Sequence, residues 1–315
     1  MLVIERDIYA DYYELDDKEK TPVRYRSLSS WGKWEWCLAH CFSARGIGFS
    51  WAIPHLPEAM PSNTTIRDYL RASALNLGWL YLVQDLGRSL LSADLFAHEG
   101  VGASDTKGGA RFLTVYSLGI GALLNIDMPY RAVCAMGMAS GCFWTRPHHN
   151  RPAVGRWRDA WTLRRFWGRV WHQTFRKPWQ SIGQWIAWEV MRALKGSLVS
   201  RYVQVYTSFL LSALMHVAAA RMADPHRRSC AGTWIFFLMQ ANGIVAEDVV
   251  QWAGKKTGMR ESSSLTRFLG RAWVLCWFAW TAPWFFGDIA DVGLIRLETF
   301  PLSVTRGLWN RQWKM

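Results

Sequence analysis

Acidic side chains are missing from the most strongly patterned stretch of this 315-residue chain: from Trp161 to Arg176, WTLRRFWGRVWHQTFR, there is no Asp or Glu. Cysteine is sparse too, and its six copies, at 37, 41, 134, 142, 230 and 276, lack the spacing of a secreted disulfide framework. They read as free thiols in a reducing setting or in lipid. Cys37, His40 and Cys41 share one helical face, but no second Cys or His pair follows at a zinc-site interval, so no metal site is assigned. The opening MLVIERDIYADYYELDDKEK is acidic and has no apolar core of signal-peptide length, so no cleaved secretory signal is read. A glycine-rich phosphate loop, a GxSxG elbow and a solenoid period are all absent. Those absences exclude P-loop phosphate binding, the serine-hydrolase turn and a repeat architecture.

What is present is apolar and aromatic. Half of the residues are hydrophobic, which excludes a disordered chain, and there are 21 tryptophans. Tryptophan joins a large apolar ring to one N–H that prefers a wet edge, a combination suited to a bilayer surface. The formal net charge of +13 suits anionic lipid, an anionic ligand such as a nucleotide, or nucleic acid. A mean hydropathy of −0.04 reflects long polar loops between the apolar runs.

Residues 1 to 26 read as a polar surface segment. The aromatic, weakly helical WGKWEWCLAHCFSARGIGFSW follows, and its Arg45-Gly46-Ile47-Gly48 predicts a break or a close backbone approach. Pro54, Pro57 and Pro61 mark a loop; the sequon Asn63-Thr64-Thr65 is given no role. Apolar patterning returns from Tyr69 to Ala97, interrupted by Asp85 and Arg88, and Gly100 to Gly109 reads as a loop. From Phe112 to Trp144, Asn125, Asp127, Pro129 and Arg131 separate two apolar stretches, predicting two short spans joined by a turn or one broken hairpin. Arg146 to Lys177 carries nine Arg or Lys with Asp159 as its one acid, which predicts a cytoplasmic loop. Tyr202 to Ala220, uncharged and bracketed by Arg201 and Arg221, is the clearest predicted membrane span. Ser229 to Ala246 and Ala272 to Gly287 are further uncharged runs, and Trp273, Trp277, Trp280 and Trp284 of the last one read as packing or interface anchors.

On a helical period, Leu163, Phe166, Trp167, Val170, Trp171 and Phe175 fall on one face of the acid-free stretch, and Arg165, Arg169, His172 and Arg176 on the other. This predicts a basic amphipathic helix at a membrane interface or against a partner. The second notable histidine, His216 in SFLLSALMHVAAAR, sits near the end of an uncharged span, with Ser208 and Ser212 one and two turns before it. Such a group either pairs with a neighbouring helix or lines a polar cavity. A buried neutral imidazole is suited to taking a proton from an alcohol that attacks an activated carbonyl, and with no elbow and no evident acidic partner the serines are not assigned as nucleophiles.

Thr162 to Gln173 resembles the signature of the wax-synthase-like branch of the membrane-bound O-acyltransferases. Arg45-Gly46-Ile47-Gly48 resembles the upstream arginine-glycine motif of that branch, Ser212 to His216 the segment ending in its proposed catalytic histidine, and Thr281-Ala282-Pro283-Trp284 its final span. The resemblance implies an all-α polytopic integral membrane bundle carrying an amphipathic interfacial helix. It divides the chain into a polar N-terminal segment with a weak aromatic helix, 1–44, and a membrane acyltransferase domain, 45–315. Apolar spans usually precede the arginine-glycine motif in the family, where this chain has only that polar segment and weak helix. By carry-over His216 is the general base and His172 a second polar group near the thioester, while Arg165, Trp167, Arg169 and Arg176 hold the acyl-CoA.

The implied activity moves an acyl group, acetyl first among them, from coenzyme A to the hydroxyl of a small lipophilic acceptor such as a terpenoid secondary metabolite. The same resemblance expects a multi-pass protein of the endoplasmic reticulum, with the lipid bilayer, the thioester and the alcohol as its partners. No permanently bound cofactor is expected, and no nucleic acid. The alternatives are a long-chain alcohol or sterol O-acyltransferase making wax-type esters, a truncated non-catalytic membrane protein, and a soluble nucleic-acid binder; three long uncharged runs speak against the last.

Overall fold

Hydroxyl side chains set where several of the helices begin. The computed structural model describes residues 13–15, 22–24, 28–47, 49, 51–61, 63–94, 108–141, 147, 150–226, 229–256, 263–293 and 300–314. Gly48, the loop residues 100–107 and the side chains of His40 and Cys41 lie outside that set. Ser197 accepts the amide of Ser200 at 3.1 Å and starts a helix at Leu198. Ser263 does the same for Thr266 at 3.0 Å, Thr162 for Arg165 at 3.0 Å and Ser303 for Arg306 at 3.1 Å. Each cap satisfies an amide that the first helical turn leaves without a partner.

The regular elements of the described chain are helices apart from a short antiparallel pair, β1 Tyr13–Leu15 and β2 Pro22–Arg24, and an isolated bridge between Leu302 and Lys314. In order follow α1 Ser30–Phe42, α2 Ile66–Asp94, α3 Gly108–Ser140, the short α4 Leu163–Arg165 continued by a π-turn Phe166–Val170, and α5 Arg176–Trp185 with a second π-turn Ile186–Val190. The long helices α6 Leu198–Ala223, α7 Ala231–Lys256 and α8 Ser264–Asp291 come next, and α9 Val304–Asn310 closes the series. Neighbours in sequence pack together: α2 on α3, α5 on α6, α6 on α7 and α7 on α8, with α8 also reaching α3.

Two expectations are corrected. The predicted break between Phe112 and Trp144 is a single helix, α3, that runs through Pro129. Its polar residues are satisfied laterally and need not open the helix. Asp127 pairs with Arg131 at 2.5 Å and accepts the amide of Ala153 at 2.9 Å, and Asn125 accepts from the Gln84 amide at 2.7 Å. Asp85 likewise does not interrupt α2; it is buried and accepts the amide of Thr305 at 2.7 Å, capping α9.

The second correction concerns Trp161 to Arg176, which is not one continuous amphipathic helix. Within the π-turn the Trp171 amide reaches back to the Phe166 carbonyl at 2.8 Å, and Trp171 itself is extended (ψ 147°). The helix therefore ends at Val170, and α5 begins afresh at Arg176. Carbonyls freed by the break find other donors: Gly168 accepts from the Gln173 amide at 2.5 Å and from the Arg176 guanidinium at 2.8 Å, and Val170 accepts the Gly155 amide at 2.9 Å.

One core joins this segment to the long helices. Leu163, Phe166 and Val170 pack with Phe209 and Ala213 of α6, Phe236, Phe237 and Ile244 of α7, and Val274, Trp277 and Phe286 of α8. Among the described residues α6 alone is long and apolar enough to cross a membrane, in agreement with the clearest predicted span. The tryptophan stripe of α8 divides: Trp277 is buried, whereas Trp273, Trp280 and Trp284 are exposed.

Candidate active site

Helix periodicity puts His216 on the inner flank of α6, where its ring stacks on Phe237 (5.2 Å, 19°) and meets Phe285 edge-on (5.1 Å, 83°). Phe236 and Phe285 stack at 5.1 Å, and Trp167 closes on Phe236 at 6.4 Å, on Phe278 at 5.9 Å and on Phe209 at 5.5 Å. The result is an aromatic wall that runs from α6 across α7 and α8 to the π-turn. Trp167, expected on the apolar face of its segment and carried over as an acyl-CoA contact, lies inside this wall, and among the described residues its buried indole N–H has no hydrogen-bond partner.

His172 follows directly on the break at Trp171. Its ring packs against Trp171 at 5.3 Å and Phe175 at 6.1 Å, and its buried Nδ1 has no hydrogen-bond partner among the described residues. Burial, then the nearby charges of His216 and Arg45, push His172 down to about 4, so near neutral pH it is an uncharged imidazole. Trp171, against which His172 packs, meets Trp167 of the wall at 5.4 Å, whereas His216 stands in the wall itself. The serines of α6 play a different part: Ser208 donates to the Gln204 carbonyl at 2.8 Å and Ser212 to the Ser208 carbonyl at 3.0 Å, so both hydroxyls bond their own helix.

Of the expected anion-binding residues, Arg165 lies over the Trp161 ring (3.4 Å) and bonds Asp159 at 3.3 Å. Arg176 spans the Gly168 and Pro54 carbonyls at 2.8 and 3.2 Å. Arg169 makes no ion pair among the described residues. Sequence reasoning missed a fourth member, His55, in the left-handed conformation at φ 63°. Burial, then the charges of Arg169, Arg176 and Arg165, hold it below the usual histidine range, and Arg176 bonds the carbonyl of the neighbouring Pro54. Only a long-range contact creates this cluster, and nothing local in the Pro54–Pro57 loop signals it.

Glu247 was also passed over as the end of an uncharged run. It is buried on α7 and accepts the backbone amides of Leu163 (2.5 Å) and Arg164 (3.3 Å) and the indole N–H of Trp273 (2.9 Å). The next residue, Asp248, pairs with Arg164 at 2.7 Å. Together they latch the start of α4 to α7. The available signal was an acidic pair closing an apolar run.

Residues 150–239 match the model of the membrane bound O-acyl transferase family. Over 307 residues the chain is 30% identical to the acetyltransferase ple2 of Rhodocybe pseudopiperita, a match covering 95% of this chain and 78% of that protein. It is 28% identical over 305 residues to the acetyltransferase eriL of Hericium erinaceus, covering 94% and 76%, and 30% identical over 293 residues to the acetyltransferase pyr8 of Aspergillus fumigatus, covering 85% and 67%. No solved structure matches it.

Proposed function

We propose, from the premise that the chain belongs to the membrane bound O-acyl transferase family and is an acyltransferase, that it moves an acetyl group from acetyl-CoA to the hydroxyl of a small lipophilic alcohol. Relatives named as acetyltransferases support the acyl group, and their fungal origin supports a terpenoid or similar secondary metabolite as acceptor. The observation that carries the mechanism is the His216 imidazole of α6 packed between Phe237 and Phe285, in the aromatic wall that Trp167 joins from the π-turn. A wall of phenylalanine and tryptophan excludes water and favours an apolar acceptor over hydrolysis.

In this reading the His216 imidazole takes the proton of the acceptor hydroxyl as its oxygen bonds to the thioester carbonyl carbon. The carbon–sulfur bond then breaks, and the proton passes to the departing coenzyme A sulfur. His172 is the second polar group at the thioester. Arg165, Arg169 and Arg176 hold the phosphates of the donor outside the wall, through guanidinium forks matched to phosphate oxygens. Helix α6 crosses the endoplasmic reticulum membrane with α7 packed against it, and the basic segment before α5 faces the cytoplasm, where the donor is found.

Membranes containing the protein should transfer labelled acetyl from acetyl-CoA to a terpenoid alcohol, and His216→Ala should lower that transfer about a hundredfold or more at unchanged protein level. Full activity in His216→Ala overturns the mechanism. Deleting the gene and profiling metabolites identifies the acceptor, as the free alcohol that accumulates while its ester disappears.

A further inference from the structure

The arginine-glycine motif stands well away in sequence from the histidines, and its structure points to a second binding surface. Arg45 is buried and donates to the Pro152 and Arg151 carbonyls (2.5 and 2.7 Å) and to the Tyr130 hydroxyl (2.6 Å), which pins the start of this loop to the segment after α3. Gly46 follows at φ 64°, and a Cβ there would lie 2.6 Å from the Trp51 ring. Only glycine allows both the turn and the contact. Phe49 stacks on the same indole at 6.1 Å and 22°. The motif therefore acts as a seat that holds Trp51 in one orientation.

The indole seated there forms one wall of an open cleft of about 150 Å³, together with Pro54; Lys177, Gln180, Ser181 and Gln184 form the other. The four residues of the second wall fall at helical spacing on one face of α5. An enclosed space on the order of 150 Å³ holds one aromatic ring, and the open side of this cleft leaves room for a second fused ring. A flat indole offers such a ring a stacking surface, and carboxamides opposite it can pair with donor and acceptor edges of a nitrogen heterocycle. Cations border the cleft: Lys177 lies 6.0 Å over Trp51, and Arg176 bonds the Pro54 carbonyl next to His55. A lipid head group would use the charge but leave the indole and the amides without a role.

We infer that this cleft is the seat of the nucleoside end of the acyl donor: adenine stacks on Trp51 and is read by Gln180 and Gln184, with its phosphates on Lys177, Arg176 and Arg169. The inference rests on the coenzyme A reading above and adds where the nucleotide sits and why glycine stands at 46. The arginines of the broken segment then lie between the nucleoside and the thioester, so the donor runs from the cleft inward past His172.

The test is equilibrium binding of radiolabelled acetyl-CoA, S-acetylpantetheine, which lacks the nucleotide, and adenosine bisphosphate, the nucleotide end alone, to the full-length protein in detergent. Trp51→Ala should weaken acetyl-CoA and adenosine bisphosphate about tenfold or more and leave S-acetylpantetheine unchanged, while Trp51→Phe stays near wild type. Because Trp51 also packs on Gly46, Gln184→Leu on the opposite wall is the second variant and should show the same selectivity. Unchanged nucleotide affinity in both variants overturns the inference, as does an equal loss for S-acetylpantetheine. A wild-type protein that binds acetyl-CoA no better than S-acetylpantetheine overturns the cleft assignment and leaves the donor reading standing. Binding of adenosine bisphosphate but of neither thioester refutes the donor reading alone, and binding of none of the three refutes both.

Discussion

His216 and His172 are held in place by opposite means. The first rides on α6, a regular helix of 26 residues, whose geometry follows from local hydrogen bonds and an apolar composition. The second stands just past a π-turn of five residues that is held in shape from outside, by Glu247 and Asp248 of α7, by Gly155 and by Gln173. A regular helix presents its side chains wherever it is placed. A broken one presents them only while its supports remain, so the second histidine is the fragile partner.

Removing the buried latch should have the largest effect on that contrast. Glu247→Ala leaves two backbone amides and the Trp273 indole without their acceptor, at a cost on the order of 2–4 kcal/mol, read as a lower melting temperature in detergent together with loss of acyl transfer. Next comes a pair of glycines that share the segment's surroundings. In Gly155→Ala the new methyl would meet the Arg169 carbonyl, far inside contact distance, and about 1–3 kcal/mol of stability should go, whereas Gly168→Ala, with open space at its Cβ, should melt like wild type. Equal melting of the two variants contradicts the close approach seen at Gly155.

The protonation of His172 gives a smaller, pH-dependent effect. Its value of about 4 in the folded protein lies below the ordinary 6.5, so as pH falls from 6.5 toward 4 the unfolded chain takes up a proton that the folded chain does not. Stability should therefore decline across that window, and His172→Gln should flatten this part of the profile in thermal melts. Smallest of all is Ser212→Ala. Its hydroxyl bonds the Ser208 carbonyl of its own helix, so stability should change by less than about 1 kcal/mol and transfer should stay near wild type. A large loss of activity there would return the serine to the site.

The legibility of the sequence follows the same division. The clearest span, α6, was readable from its uncharged run, and His216 stood out because an ionisable group there is costly. The burial of Leu163, Phe166 and Val170 also followed from their spacing. The fate of His172 did not, because a helical wheel assumes an unbroken helix, and the Trp171–Phe166 bond changes the register just before the histidine. The polar cluster of α3 misled for a related reason: Asp127, Asn125 and Arg131 looked like a break, but their partners are Ala153, Gln84 and one another. Glu247, His55 and Trp51 take their meaning from residues far away in sequence, and no local pattern carries that information.

The π-turn at Phe166–Val170 carries a consequence for how this region can change by insertion and deletion. Such a turn is an α-helix with one extra residue looped into it. Deleting a single residue there would let the ladder close with ordinary spacing and rotate everything after it by roughly 100°. Trp171 would then leave Phe166 and Trp167, and His172 would turn away with it. The register at this point is therefore as much a requirement as the identity of the histidine itself, and a chain that kept every side chain but lost one position would keep its signature and lose its geometry.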